Sequence, residues 1–467
     1  MTQGVDTDVD IRAAYAADAS GLVHVPDGVA RPESVEEVAE LLRQASTDRF
    51  CVTPAGSQTS TTGASVAASG VLLSLQRMNL ILDVDPIAST MRVQAGALVG
   101  DVKRVADAEG LLFAPDPTSE NECTIGGAIA CNASGARTLK YGATRQHVRS
   151  IKVVLASGDE ITLRRNGLEK NTAGYSLAHD PVDWFVGSEG TLGVVVEAEL
   201  ALLRRPDLVI GTAVPFRSER DALAFVAAAR RARDARFLDA RSSQALDPRC
   251  LEYFDEPALT IARSADDQPG WAEGAAAMVY LEQEATSDTA DAALHGWLAL
   301  ADQHHAYDDI RAFTSEGELR HARAMRHAVP VTMNERGARY TAVGGRKVST
   351  DWAVAYELLH NAIEESRKLA RDAGVEQAVT YGHAGNGHPH QNYLAFDAAH
   401  LARIEHVVEE TLKMVVRMGG TVSAEHGIGK LKRRWLSLQI SPLAIGVMRA
   451  VKRELDPHGL LAPGNIF

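Results

Sequence analysis

The chain lacks several features that would place it in a specialised class of proteins. It has only four cysteines in 467 residues, and no two of them form a Cys-x-x-Cys pair. Isolated thiols in a long chain are typical of a reducing compartment and argue against a disulfide framework. No apolar run approaches the roughly 18 residues of a membrane-spanning helix. The acidic amino terminus has no basic or apolar signal-peptide region. We therefore expect a soluble, cytoplasmic protein.

Positive charge and aromatic side chains are also scarce. The chain has 48 Lys and Arg against 61 Asp and Glu, a formal net charge of −13. This balance argues against a broad surface for nucleic acid or anionic membranes. Aromatic residues make up 5% of the chain, whereas the hydrophobic fraction of 45% is ordinary for a globular protein. A chain of this length exceeds what one hydrophobic core holds, so two or three domains are expected.

Apolar periodicity and capping residues predict alternating helices and strands. Ser34 and Glu37 form a capping-box pattern ahead of a helix that ends near residue 47. Residues 151–156 and 160–165 predict a hairpin around Ser-Gly-Asp. From residue 208 a second unit of alternating elements follows. It is predicted to contain strands at 208–216, 276–281 and 341–349 and helices at 218–233, 287–302, 315–328, 351–373 and 397–418.

Three stretches before residue 200 are rich in glycine and other small residues: 54–63 (PAGSQTSTTG), 115–145 and 187–193 (GSEGTLG). Backbone N–H groups beside hydroxyls can bind phosphate, and small side chains let the backbone approach a flat ligand. The stretch 115–145 predicts a long functional loop. None of the three is a Walker A or a G-x-G-x-x-G motif. Together they predict one extended ligand such as a dinucleotide, and composition leaves flavin and nicotinamide open.

The densest group of reactive side chains lies at 381–393, YGHAGNGHPHQNY. His383, His388 and His390 fall within eight residues, interleaved with glycines. Further on, the segment 423–429, SAEHGIG, carries Glu425 and His426 side by side. Imidazole and carboxylate groups are the usual ligands of first-row divalent metals. The pattern therefore predicts a metal site with a base beside it.

These motifs, together with KNTAGYSL (170–177) and a DP…PGNIF tail, resemble the FAD-linked D-2-hydroxy-acid dehydrogenase family of the vanillyl-alcohol-oxidase superfamily over roughly residues 20–467. That branch includes glycolate oxidase D-subunits, D-lactate dehydrogenases and D-2-hydroxyglutarate dehydrogenases. The resemblance implies an α+β fold in three parts. They are a two-subdomain FAD-binding domain of PCMH type at 1–205, an α+β cap domain with an antiparallel sheet at 206–418, and a C-terminal segment at 419–467 that returns to the FAD domain.

The resemblance also implies non-covalently bound FAD. Its binding residues would fall on the three small-residue stretches. They are Pro54, Ala55, Gly56, Ser57, Gln58, Thr59, Ser60, Pro117, Thr118, Ser119, Gly126, Gly127, Asn132, Gly135, Tyr141, Gly142, Thr144, Glu189 and Gly190.

A divalent metal, zinc or another first-row ion, is implied as the second cofactor. Its ligands would be His383, His390 and Glu425, with His426 as the general base. Asn392 would contact the substrate. The substrate carboxylate would be held by a basic pair, for which Arg326 and Lys347 are the matching residues.

The implied reaction is oxidation of a D-2-hydroxy acid, such as D-lactate, glycolate or D-2-hydroxyglutarate, to the 2-oxo acid. The hydride would pass to flavin N5. One alternative is a flavin-carrying subunit of a glycolate-oxidase-type complex. A more distant one is a zinc hydrolase of a nucleotide-like substrate, which would use the same His and Glu residues. The identity of the electron acceptor (flavoprotein, quinone, cytochrome or oxygen) stays open, and so does the oligomeric state, for which a homodimer is one possibility.

The chain departs from the family pattern at four positions. Asn386, His388 and Ala462 stand where the family commonly has Asp, Asn and Asn. His388 would either join the metal or narrow the substrate pocket. Pro330 stands where a Thr is expected in the hydroxyglutarate enzymes, which argues against that substrate.

Overall fold

A computed structural model describes residues 4–175, 179–238, 246–266 and 270–467. Ser176 and Leu177 of the KNTAGYSL motif lie outside these ranges. The strands within the described ranges are β1 (Val5–Asp6), β2 (Gly28–Ala30), β3 (Val52–Ala55), β4 (Val71–Ser74), β5 (Ile81–Asp85), β6 (Thr90–Gln94), β7 (Leu111–Leu112), β8 (Val148–Val154), β9 (Glu160–Arg164), β10 (Val194–Ala201), β11 (Leu203–Arg204), β12 (Leu208–Phe216), β13 (Pro248–Asp255), β14 (Ala277–Ala285), β15 (Arg311–Phe313), β16 (Arg346–Ser349), β17 (Val379–His383) and β18 (His388–Ala395).

The α-helices of the same ranges are α1 (Val9–Ala14), α2 (Val35–Asp48), α3 (Val99–Ala108), α4 (Ile125–Cys131), α5 (Thr138–Tyr141), α6 (Val182–Phe185), α7 (Glu219–Leu238), α8 (Glu256–Ser264), α9 (Ala290–Gln303), α10 (Glu316–Ala338), α11 (Leu359–Asp372), α12 (Ala398–Arg417), α13 (Leu436–Gln439) and α14 (Pro442–Leu455). Among the described residues, no helix combines the length and the apolarity that crossing a bilayer requires.

The chain divides into two compact units. Unit 1 comprises residues 1–135, 142–205 and 425–467, and unit 2 comprises residues 136–141 and 206–424. The chain therefore passes from unit 2 back to unit 1 between Ala424 and Glu425.

Unit 1 is built on two main sheets. One has the strand order β1-β2-β4-β3, in which β2, β4 and β3 are parallel. The other has the order β5-β6-β10-β8-β9 and is antiparallel throughout. The apolar face of α2 (Val38, Leu42 and their neighbours) packs between them in a buried core. The carboxyl-terminal tail extends the first sheet, since the Ala462 N–H donates to the Val52 carbonyl at 2.9 Å.

Unit 2 is built on one antiparallel sheet of seven strands, in the order β15-β12-β14-β13-β17-β18-β16. Helices α8 and α10 cover one face of it with an apolar core that includes Phe254, Met325 and Tyr381. The predicted α+β class and the antiparallel sheet of the second unit are thereby confirmed.

Most predicted elements lie where the sequence places them. Ser34 caps α2 by accepting the Glu37 N–H at 3.2 Å, and Ser218 caps α7 by accepting the Asp221 N–H at 3.1 Å. The capping box at Ser34 is only half formed, because the Glu37 carboxylate accepts from the Glu33 N–H instead. Strands β8 and β9 form the predicted hairpin.

Four local expectations are wrong. The stretch 115–145 is not one long loop, because it contains α4 and α5. The helix predicted at 351–373 begins only at Leu359, and α10 runs ten residues beyond its predicted end, past Pro330. Strands β15, β17 and β18 of unit 2 were not predicted, and neither was β13. All eight of its residues are buried, so it lacks the polar and apolar alternation that marks a half-exposed strand.

Candidate active site

The histidine motif forms the hairpin of β17 and β18 in unit 2. In its register His383 lies opposite His388, Tyr381 opposite His390, and Val379 opposite Asn392. Opposite residues of an antiparallel pair point to the same face of the sheet. Three histidines and one asparagine therefore share a face, and all four are at least nine-tenths buried.

Two glycines make this hairpin sterically feasible. Gly387 has φ +68°, and a Cβ there would lie 1.8 Å from the Val354 carbonyl oxygen. Gly382 has φ +125°, and its Cβ would lie 2.8 Å from Cδ2 of the His390 ring. A larger residue at either position would displace the backbone or the imidazole. The glycines of the motif therefore position the histidine rings.

His383 has a carboxylate partner that the sequence did not reveal. Its Nδ1 lies 2.7 Å from Oε1 of Glu252, which is 1% exposed on β13. Because a carboxylate can only accept, Nδ1 carries the hydrogen, which leaves Nε2 as the nitrogen that can bind a metal. A carboxylate behind a histidine in this way is the usual support of a metal ligand. The one signal for Glu252 was an acidic residue within the apolar run CLEYF.

Arg326 completes a buried ion pair at the same place. Its Nε lies 2.5 Å from Oε2 of Glu252, and its Nη2 lies 3.3 Å from both ring nitrogens of His383. Burial alone raises the pKa of Glu252, but Arg326 and His383 outweigh it and lower that pKa to about 2. Arg326 does not lie on an exposed face of its helix, because the residue is only 7% exposed.

A second buried carboxylate lies on the neighbouring strand β14. Glu282 accepts hydrogen bonds from Arg323 and Tyr280, and Arg249 and Arg137 lie within 3.1 and 3.9 Å of it. Burial raises the pKa of Glu282, and the arginines lower it to about 2. Four guanidinium groups therefore stand beside two carboxylates in this part of unit 2. The excess of positive charge favours binding of an anion.

Asn392 has an unsatisfied side chain. It is fully buried, and neither its Nδ2 nor its Oδ1 has a hydrogen-bond partner among the described residues. Leaving a buried amide unpaired costs about 1–3 kcal/mol per group, so native structures normally satisfy it. An amide in this state, on the histidine face of the sheet, fits a position that contacts a bound polar group.

Lys347 lies on the edge strand β16, where it pairs in register with Leu394 of β18. The next residue on the same face, Ser349, lies opposite Asn392. Burial lowers the pKa of Lys347 to about 8. Lys347 and Asn392 are therefore diagonal neighbours on one sheet face, whereas Arg326 reaches that face from α10.

The small-residue stretches predicted to bind FAD converge in unit 1. A Cβ at Gly56 would lie 2.2 Å from Thr124 Oγ1, and one at Gly190 would lie 3.1 Å from the Pro54 ring. A Cβ at Gly135 would lie 2.1 Å from the carbonyl oxygen of Asp116. The first two contacts join the stretch 54–63 to the stretches 115–145 and 187–193, so all three pack closely at glycines, as the approach to a dinucleotide requires.

Two of the predicted cofactor residues are held by other contacts. Glu189 is buried at φ +51°, and its carboxylate accepts the N–H groups of Ile428 at 2.6 Å and Gly429 at 2.8 Å. It therefore fixes the SAEHGIG segment within unit 1. Tyr141 is grouped with unit 2, where its hydroxyl donates to Glu284.

Glu425 and His426 begin the last segment of unit 1. Glu425 Oε1 accepts from Ser134 Oγ at 3.2 Å, and the His426 carbonyl accepts from Thr62 Oγ1 at 3.4 Å. The preceding residue, Ala424, belongs to unit 2, and its N–H donates to the Asp351 carbonyl at 2.8 Å. Glu425 therefore lies one peptide bond from a residue anchored in the unit of the histidines.

The residues present fit a divalent metal. Ligand nitrogens of His383 and His390 lie within 4.8 Å of each other, a separation that one ion can bridge. The Nδ1–H of His383 is already engaged by Glu252, and the unpaired amide of Asn392 lies on the same face. The donor set of imidazole and carboxylate is suited to zinc and other first-row ions.

Comparisons with known proteins give the family. Residues 26–164 match the FAD binding domain family, and residues 213–466 match the C-terminal domain family of FAD linked oxidases. A D-2-hydroxyglutarate dehydrogenase of Xanthomonas citri pv. viticola is 35% identical, with 95% of this chain and 89% of the relative covered. The glycolate oxidase subunit GlcD of Bacillus subtilis is 31% identical, with 98% and 92% covered. A D-lactate dehydrogenase of Anaerostipes hadrus is 30% identical, with 94% and 90% covered.

Solved structures agree on the fold. p-Cresol methylhydroxylase superposes with a TM-score of 0.75 at 14% identity, covering 99% of this chain and 93% of its own. The 4-ethylphenol oxidase from Gulosibacter chungangensis gives a TM-score of 0.74 at 17% identity, covering 99% and 94%. The predicted family is confirmed, and the hydrolase alternative has no support among these relatives. The chain belongs to the FAD-linked oxidases and is an oxidoreductase that uses FAD.

Proposed function

We propose that the protein oxidises a D-2-hydroxy acid to the 2-oxo acid with the help of a divalent metal. The observation that carries the proposal is the histidine face of unit 2. It combines His383 backed by Glu252, His390, and the buried amide of Asn392, which has no hydrogen-bond partner in the part of the chain that the structure describes. The relatives named as D-2-hydroxyglutarate, glycolate and D-lactate enzymes support this substrate class.

The substrate carboxylate is assigned to Arg326 and Lys347. Arg326 forms an ion pair with Glu252, but the guanidinium groups around it outnumber the carboxylates. Lys347 has no charged partner among the causes of its lowered pKa, which is due to burial alone. An arriving carboxylate would raise this pKa again and stabilise the charged lysine. Asn392 would bind a polar group of the substrate, which removes the cost of its unpaired amide.

The metal is assigned to His383, His390 and Glu425. When bound, it supplies a Lewis acid that polarises the substrate hydroxyl. Glu252 accepts from Nδ1 of His383, which leaves Nε2 for the metal in place of its 3.3 Å contact with Arg326 Nη2. The Ala424 anchor to Asp351 holds the start of the segment that carries Glu425. His426, the next residue, is assigned the hydroxyl proton. FAD supplies the two-electron oxidant that accepts the hydride from C2.

Anaerobic flavin reduction tests the proposal. The purified protein should bleach when mixed with D-lactate, glycolate or D-2-hydroxyglutarate, and L-lactate should be inactive. His426→Ala should reduce the bleaching rate by about 10²–10⁴-fold while FAD stays bound. His406→Ala, on the exposed side of α12, is the matched control and should bleach at the wild-type rate. Wild-type bleaching rates in His426→Ala would disprove its role as base.

A second candidate is a flavin-carrying subunit of a larger complex. The 31% identity to a glycolate oxidase subunit over nearly the whole chain favours it. In that case the flavin of the isolated protein would bleach with substrate, but turnover with quinone, cytochrome or oxygen would need added subunits. Multiple-turnover assays with each acceptor separate the two candidates.

A further inference from the structure

His388 is a third imidazole in the hairpin, and the proposed ligand set leaves it unused. Its side chain is 2% exposed, and its ring centroid lies 4.6 Å from that of His390 and 5.7 Å from that of His383. The centroids of His383 and His390 lie 5.3 Å apart. The three rings therefore form a compact triangle on one face of the sheet.

The triangle has the size that a shared metal ion requires. A zinc–nitrogen bond of about 2.0–2.1 Å places each ring centroid roughly 3.2 Å from the ion. At tetrahedral angles, two such centroids are about 5.2 Å apart. The observed separations of 4.6, 5.3 and 5.7 Å bracket this value. The three ring separations are therefore compatible with one shared ion.

His388 also has the outer contact typical of a metal ligand. Its Nδ1 lies 2.7 Å from the Trp352 carbonyl oxygen, so Nδ1 carries the hydrogen and Nε2 is the nitrogen that can bind a metal. His383 is oriented in the same way by Glu252. A backbone carbonyl or a carboxylate behind the imidazole fixes the tautomer of most metal-bound histidines.

The surroundings of His388 Nε2 favour a cation. Asp351 Oδ1 lies 3.6 Å from it, and the other oxygen of Asp351 accepts from Ser423 Oγ at 2.8 Å. The Asp351 side chain is therefore held in place beside the imidazole. A buried carboxylate beside a nitrogen lone pair is stabilised by a positive ion between or beside them.

We propose that His388 binds the metal through Nε2 together with His383 and His390, so that the site has three imidazole ligands. The inference rests on the metal of the proposed function and adds a ligand that the family resemblance does not assign. A set of three imidazoles and a carboxylate favours zinc, cobalt or iron(II) over magnesium, calcium or manganese. Asp351 is then a charge beside the site that supports the cation.

The number of imidazoles can be counted directly. Chelator-treated holoprotein with its FAD in place is reloaded with one equivalent of Zn²⁺, and zinc-edge X-ray absorption is recorded for wild type and His388→Asn. Three imidazoles are expected in wild type and two in the variant. Zinc affinity, measured by competition with a chromogenic chelator, should fall about 10–100-fold in the variant. Asparagine is the residue that the family commonly has at this position.

His400→Asn is the matched control. His400 is another buried histidine of unit 2, and its Nδ1 accepts the Phe396 N–H at 3.4 Å. Its replacement should leave both the imidazole count and the zinc affinity unchanged. Flavin absorbance and the unfolding midpoint show whether each variant has folded.

Two results would overturn the inference, and they are distinguishable. Two imidazoles in wild type, with unchanged zinc affinity in His388→Asn, would make His388 a structural residue paired with Asp351 while the proposed metal survives. Failure of the wild-type protein to bind Zn²⁺, Co²⁺ or Fe²⁺ would remove the metal of the proposed function as well. The number of imidazole ligands in the wild-type protein tests the inference even if the variant does not fold.

Discussion

Replacing Glu252 by glutamine tests whether this buried carboxylate supports the histidine site. The substitution keeps the size of the side chain and an oxygen that can still accept from His383 Nδ1. It removes the negative charge that lies 2.5 Å from Arg326 Nε. The guanidinium of Arg326, which is 7% exposed, then loses its ionic partner.

The expected loss of stability follows from two independent figures. The pKa of Glu252 is about 2, against 4.5 for an ordinary glutamate, even though burial by itself raises it. The difference corresponds to about 3 kcal/mol in favour of the charged form. Removing one partner of a buried ion pair typically costs roughly 3–5 kcal/mol. Because glutamine keeps one hydrogen bond, we expect a loss near the lower end, about 3 kcal/mol.

Two assays check the prediction. Urea unfolding of chelator-treated protein at neutral pH gives the change in unfolding free energy. Chelator competition gives zinc affinity, which should fall about 10–100-fold because a neutral amide supports the basicity of His383 less well than a carboxylate. Glu405→Gln is the matched control. Its ion pair with Arg346 is one-third exposed, so its loss should cost no more than about 1 kcal/mol.

The reasoning is refuted if Glu252→Gln unfolds within about 0.5 kcal/mol of wild type, the range of an ordinary surface substitution. Loss of stability with unchanged zinc affinity would be a narrower failure. It would show that Glu252 neutralises Arg326 but does not orient His383 as a ligand.

Two further predictions concern the substrate. Burial lowers the pKa of Lys347 to about 8, below its ordinary 10.5, so its charge is lost as pH rises through about 8. The second-order rate constant for flavin reduction should therefore fall roughly tenfold per pH unit above that point. In Lys347→Arg the rate constant should stay unchanged to about pH 10, and an identical decline in both proteins would exclude Lys347 as the titrating group. Pro330 lies one turn after Arg326 in α10, and as a proline it cannot donate a hydrogen bond to the Arg326 carbonyl. Pro330→Thr restores that N–H and adds a hydroxyl beside Arg326, which we propose to bind the substrate carboxylate, so flavin reduction by D-2-hydroxyglutarate should increase relative to D-lactate. An unchanged ratio of the two rates would show that position 330 does not select the substrate.

The residues that sequence reasoning missed share one property, which is that their partners lie far away in the sequence. Glu252 is 74 residues from Arg326 and 131 residues from His383 in the chain. Its strand, β13, is buried on all sides, so its pattern could not be told from other short apolar runs. The positive cluster around Glu282 was hidden for the same reason, since Arg137, Arg249 and Arg323 come from three separate elements.

Local chemistry is what the sequence alone determined. The histidines and glycines at 381–393 predicted side chains that converge on one site, but the hairpin that carries them was not predicted. Capping serines began α2 and α7 at the expected residues. Small-residue motifs identified the dinucleotide domain, because the small side chains and turn residues of each stretch can be read from that stretch alone.

Tertiary structure decided the electrostatics. The register of seven strands places Glu252 behind His383, and α10 continues past Pro330 so that Arg326 can pair with that carboxylate. The same packing leaves the Asn392 amide without a hydrogen-bond partner among the described residues. It also buries Lys347, which lowers the pKa of this lysine. Hydrogen-bond partners and pKa values depend on which groups share a buried space, and burial between distant segments is not encoded in any local pattern.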